Sequence, residues 1–137
     1  MTMFHPKLAE LVRRDPRYAY EAYEFVFAAL AHTQKMLGRA PREEAEPSEE
    51  HHVSGAELVR GACELALHEF GMMAPTVFKQ WGITQSDDFG EIVFNLIEGN
   101  LMSKTNKDSK ADFQGVVNLD RVLKDGFAIR LDESEQS

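Results

Sequence analysis

Residues 54–71 read SGAELVRGACELALHEFG, and this stretch decides the fold class. Ser54-Gly55-Ala56-Glu57 has the form of a capping box, in which the Ser54 hydroxyl accepts from the Glu57 N–H and the Glu57 carboxylate accepts from the Ser54 N–H. Val53 and Leu58 take the N′ and N4 places of a hydrophobic staple. Leu58, Val59, Ala62, Leu65, Ala66 and Phe70 then recur at helical spacing on one side, with Cys63 at its edge. Glu57, Arg60, Glu64 and His68 lie opposite. Gly71 stands where a helix-ending glycine is expected. A helix with one apolar side must cover that side with other elements, so the stretch predicts a layered helical body.

Downstream, a short helix is expected over 73–81, with Val77, Phe78 and Trp81 as its apolar contacts and Gly82 as its stop. Thr84-Gln85-Ser86-Asp87-Asp88 is a polar turn rich in N-cap residues, and Asp88-x-x-Glu91 resembles a second cap. The helix predicted over 88–101 carries Phe89, Ile92, Val93, Leu96 and Ile97 on one stripe and Asp88, Glu91, Asn95 and Glu98 on a wet one. Beyond it, Asn106-Lys107-Asp108-Ser109-Lys110 and Asp125-Gly126 are turn signals, 119–124 suits a short helical turn, and 127–131 suits a strand.

Upstream, Pro6 suits the first turn of a helix over 6–14 that Asp15-Pro16 breaks. The helix over 18–37, closed by Gly38, is apolar around more of its circumference than a surface helix needs. It is either central to the core or shared with a partner chain. Tyr18, Tyr20 and Tyr23 cluster at its start, and tyrosine is enriched at interfaces. Between these halves, 39–53 holds two prolines and a run of glutamates, the composition of a solvated linker.

The chain has 137 residues and a formal net charge of −8, with 43% hydrophobic and 28% charged residues. That is one domain's length and the balance of a globular protein. Residues 42–50 hold one Arg and five Glu, and 132–137 hold three more carboxylates, so these two segments account for all but one net negative charge. The single cysteine rules out an internal disulfide or a two-cysteine metal site. No signal-peptide pattern and no membrane-length apolar run is present, so a cytoplasmic protein with no membrane contact is expected.

The order helix, short helix, polar turn, helix, hairpin with a charged tip resembles winged-helix domains. Residues 96–104, LIEGNLMSK, look like the end of a recognition helix running into a first wing strand, with Lys104, Lys107 and Lys110 crowding the wing. Gly71, Trp81-Gly82, the run DDFGEIVFN at 87–95, Lys104-Thr105 and Lys107-Asp108-Ser109 resemble an uncharacterised conserved family of planctomycete and verrucomicrobial proteins. That resemblance implies a compact, self-standing protein and no particular chemistry.

The expected architecture is mainly α, about five helices with a small C-terminal β-hairpin or strand and a winged-helix-like order in the C-terminal half. Residues 1–38 are expected to pack on the same domain or on a partner, 39–53 to link, 54–131 to form the body, and 132–137 to form a tail. Four functions compete. Protein contact, with a partner or a second copy, is the expected role, through Tyr18, Tyr20 and Tyr23 and the Asp88, Glu91, Asn95, Glu98 stripe. DNA binding through Lys104, Lys107 and Lys110 is the alternative, weakened by the acidity of the helix that would read the groove. Metal binding has only Glu64 and His68 as candidate ligands, four apart on one helix, with no second set. Catalysis lacks any recognised motif, and no cofactor is implied.

Overall fold

The computed structural model describes residues 5–38, 52–102 and 109–126. The chain is mainly helical: α1 (Pro6–Arg14), α2 (Tyr20–Met36), α3 (Gly55–Phe70), α4 (Ala74–Gln80) and α5 (Asp87–Glu98), with a further helix, α6, over 119–126. Single 3-10 turns at Gly71–Met73 and Lys110–Phe113 join α3 to α4 and precede α6.

Local chemistry sets the helix ends. The predicted capping box at α3 is present in both directions, at 3.1 Å for Glu57 N–H to Ser54 Oγ and 3.0 Å for Ser54 N–H to Glu57 Oε1. Pro6 starts α1 and Asp15 ends it. Gly38, Gly71 and Gly82 all take positive φ just beyond helix ends. A capping box unforeseen in the sequence fixes the 3-10 turn at 110–113, where Ser109 Oγ accepts from Ala111 N–H and Asp112 from Ser109 N–H.

α2 is the central helix. Ala22, Tyr23, Phe25, Val26, Ala29 and Thr33 are buried, and α2 packs along α3, α5 and α1. Phe25 meets Phe70, and Thr33 meets Gly61 one end further on, so α2 and α3 run antiparallel. Small residues make the close approach: Ala29, Gly61, Ala62 and Ala66 are all buried. At one end of this pair lies an aromatic cluster of Phe25, Phe70, Phe78, Trp81 and Phe89, with ring centroids 5.4–6.2 Å apart. α5 buries Phe89, Ile92, Val93 and Leu96, as its stripe predicts. Phe113, Leu119 and Leu123 close the core from the C-terminal side.

The described residues contain no strand. The expected strand at 127–131, Lys104, Lys107 and the hairpin tip lie outside them. Residues 110–113, beside the expected hairpin tip, form a 3-10 turn, and the helical turn expected over 119–124 is present within α6. No helix among the described residues is long and apolar enough to cross a membrane.

Candidate functional site

The segment between α1 and α2 lies across the polar stripe of α5. Asp15 turns the chain by accepting from the Arg17 N–H, and its carboxylate also takes the Arg17 guanidinium at 2.8 and 2.6 Å. Tyr18 is buried, and its hydroxyl donates to Asp88 Oδ1 at 2.6 Å. The other Asp88 oxygen accepts from the Thr84 and Gln85 N–H groups at 2.9 and 3.1 Å. Asn95 Nδ2 donates both to Asp15 (2.9 Å) and to the Tyr23 hydroxyl (3.0 Å). Glu91 accepts from Lys110 Nζ at 3.1 Å and from Arg17 at 3.4 Å.

The electrostatics of this seam hold Asp15, Tyr18 and Tyr23 each in one state. The Arg17 hydrogen bond, assisted by Asn95, keeps the Asp15 carboxyl far below the usual carboxylate range against the opposing effect of burial. Burial, then the bond to Asp88, pushes the Tyr18 phenol well above its ordinary value. Burial likewise raises Tyr23. A phenol held protonated and a carboxylate held ionised are poor proton-transfer partners near neutral pH. What the seam does is fasten the α1–α2 segment to α5.

The folded-state acidity of Asp15 has a consequence for stability. A carboxyl depressed by folding stabilises the native state above its unfolded value, about 3.9, and that contribution is lost as pH falls toward the folded value. Asp15→Asn is therefore expected to lower the urea midpoint at pH 7 and to flatten its decline between pH 4 and pH 2. Parallel declines in the two proteins would refute the assignment.

This geometry corrects the expected wet stripe. Asp88, Glu91 and Asn95 are half-buried and engaged within the chain, and only Glu98 is exposed. Glu98 borders a cleft of about 200 Å³ with Leu11, Arg14, Asp15 and Asn95. Asp88 also differs from its expected capping role. α5 begins one residue earlier and Asp88 caps the preceding turn, while the buried Ser86 hydroxyl accepts from Val116 N–H at 3.1 Å. Of the tyrosines, Tyr18 and Tyr23 are core residues and Tyr20 is half-buried. The physical reason is the same throughout: the helix face that looks free in the sequence is covered by a segment distant along the chain.

The remaining candidates are scattered. Lys110 is exposed but paired with Glu91. Glu64 lies 3.9 Å from His32 Nε2 across the α2–α3 contact, while His68 is exposed on the outer side of α3. Among the described residues, no three His, Cys, Asp or Glu side chains converge as metal ligands do. Cys63 is buried among aliphatics and its thiol is pushed up to about 12 by desolvation, which makes it a weak nucleophile.

One surface feature is absent from the sequence-based candidates. Met72 and Met73, on the turn between α3 and α4, are 71% and 53% exposed. Phe70, the residue before this turn, is half-buried and packs on Trp81 with ring centroids 5.6 Å apart. The signal lay in the order Gly71-Met72-Met73-Ala74-Pro75: a helix-ending glycine and a helix-starting proline leave the two methionines on a turn. No protein-family model, curated protein or solved structure matches the chain.

Proposed function

We propose that this chain is a non-enzymatic module that acts through protein contact, with the α3–α4 turn as its contact point. The observation that carries the reading is the exposure of Met72 and Met73 on the turn between α3 and α4. Leaving two adjacent large apolar side chains in water forgoes their burial, and contiguous exposed apolar surface marks interaction sites. Methionine suits such a surface, since its unbranched, polarisable side chain adapts to partners of different shape. Gly71, at φ 53°, and Pro75 hold the turn between two helices, so little ordering is needed on binding.

The partner that fits is a protein offering an apolar groove, including a second copy of this chain. The test compares wild type with a Met72→Glu, Met73→Glu double variant, in cross-linked capture from the source organism's lysate and in solution mass measurements at high concentration. The expected result is a complex, with another protein or with itself, that the wild type forms and the variant loses while its melting temperature is unchanged. A monomeric wild type with no specific partner, or equal capture by both proteins, would reject the reading.

DNA binding by a winged helix gains less support. The α5 face that would enter a groove carries Asp88, Glu91 and Glu98, and three of its polar residues are tied to Arg17, Tyr18, Tyr23, Asp15 and Lys110. The resemblance to the planctomycete and verrucomicrobial family brings no assigned activity to either reading.

A further inference from the structure

Residues of α4 and α6 line one cleft of about 360 Å³. Its floor is apolar and firmly packed: Phe78, Ile83, Leu119 and Leu123 all line it, and all are buried. Its margin carries two lysines and one carboxylate, Asp120, and so a net charge of +1. Lys79 comes from α4 and is exposed, and Lys124 comes from α6. Lys124 pairs with Asp120 four residues earlier, at 3.0 Å, with both side chains about two-thirds exposed. An exposed pair of this kind is weak and screened, so Lys124 is able to turn toward a ligand anion.

Ligand sites combine an apolar lining with a few placed polar groups, and about 360 Å³ is at the small end of their range. Two ammonium groups over a hydrocarbon floor suit a monoanion with an apolar body. The described lining residues include no arginine fork and no run of backbone N–H groups at a glycine loop, the features that favour phosphate. We propose that the α4–α6 cleft binds a small amphipathic carboxylate, its hydrocarbon part on Phe78, Ile83, Leu119 and Leu123 and its anion between Lys79 and Lys124. This site is separate from the methionine turn and does not depend on the contact role.

The chain contains its own reporter. Trp81 is the single tryptophan, and its ring centroid lies 6.2 Å from that of Phe78 in the cleft floor. Decanoate is the probe, titrated into the full chain by calorimetry and by Trp81 fluorescence. The expected result is saturable binding of one decanoate per chain with a shift in Trp81 emission and a rise in melting temperature. Lys79→Glu with Lys124→Glu is expected to weaken it by roughly tenfold or more, and uncharged decanol to bind weaker than decanoate by a similar factor. Both lysines are exposed, so the variant is expected to fold, which circular dichroism checks. The Met72→Glu, Met73→Glu variant is expected to bind decanoate as the wild type does. Absence of saturable binding, several molecules per chain, or affinity indifferent to the charge reversal would each overturn the proposal.

Discussion

Gly61→Ala is expected to destabilise the protein by about 2 kcal/mol, lowering the melting temperature by roughly 8 °C for a chain of this length. The direction is opposite to what helix propensity alone gives, since replacing an interior helical glycine by alanine normally stabilises by about 1 kcal/mol. The reason is the helix–helix contact. A Cβ at position 61 would sit 1.8 Å from Thr33 Oγ1 and 2.9 Å from Thr33 Cβ. Rotating the threonine removes the first clash but leaves the second, because Cβ moves only with the backbone. α2 and α3 must therefore separate, loosening the close packing in which Ala29, Ala62 and Ala66 are buried and the aromatic cluster beyond it. Thr33 is itself committed, its hydroxyl donating to Ala29 O at 2.7 Å. In a Thr33→Ala background the cost of Gly61→Ala is expected to fall by about 1 kcal/mol, a coupling typical of residues in contact. Thermal and urea unfolding of the four proteins measure it. A Gly61→Ala protein as stable as wild type would show that the helices are further apart than described.

Gly82→Ala is expected to cost more, roughly 3–4 kcal/mol, because two penalties act at once. The backbone there has φ +89°, a region that side-chain-bearing residues rarely adopt, and the added Cβ would lie 2.0 Å from the Arg17 carbonyl oxygen. Neither group yields easily, since the obstacle is main chain. The same junction holds the Ala19 N–H to Trp81 O bond at 3.1 Å, so the strain reaches the α1–α2 segment and its seam with α5. Gly38→Ala is the internal control. Its φ is +68°, but nothing lies within 4 Å of the added methyl. It is expected to show the conformational penalty alone, about 1 kcal/mol. Equal losses at the two positions would remove the Arg17 contact from the account. A blue or red shift in Trp81 fluorescence in Gly82→Ala alone would locate the disturbance at the α4 end.

Much of the helical framework is readable without coordinates, for local reasons. Capping at Ser54 and Glu57, the proline at position 6, the Asp15-Pro16 break and the glycines at 38, 71 and 82 act within a few residues of themselves. The α5 stripe is equally local, since helical spacing places Phe89, Ile92, Val93 and Leu96 on one side whatever they meet. The short helix over 119–126 starts at a cap that the structure reveals, where Asn118 Oδ1 accepts from the Arg121 N–H.

The candidate site was less legible, and Tyr18 shows why. As a sequence feature, three tyrosines at a helix start suggest a surface. In the fold, Tyr18 and Tyr23 are core residues whose hydroxyls reach Asp88 and Asn95, about seventy positions away. Spacing along a helix tells which residues share a face and does not tell which distant segment covers it. The methionine turn is the converse case: Met73 is expected at the start of a helix, and only the bend between α3 and α4 leaves Met72 and Met73 outside.

By itself the sequence determined that α1 to α5 exist and, within a few residues, where they start and stop, because caps, breakers and apolar periodicity are interactions between near neighbours. The tertiary structure alone decided that α2 is the central helix, that Gly61 and Gly82 are points of contact, and that the polar face of α5 closes on Asp15, Arg17 and Tyr18. It also decided which apolar surfaces stay open, among them the Met72–Met73 turn, Met36 and Leu37 at the end of α2, and the α4–α6 cleft. Those outcomes depend on which faces meet across long stretches of chain, and burial is a property of the assembled layers that no single segment carries.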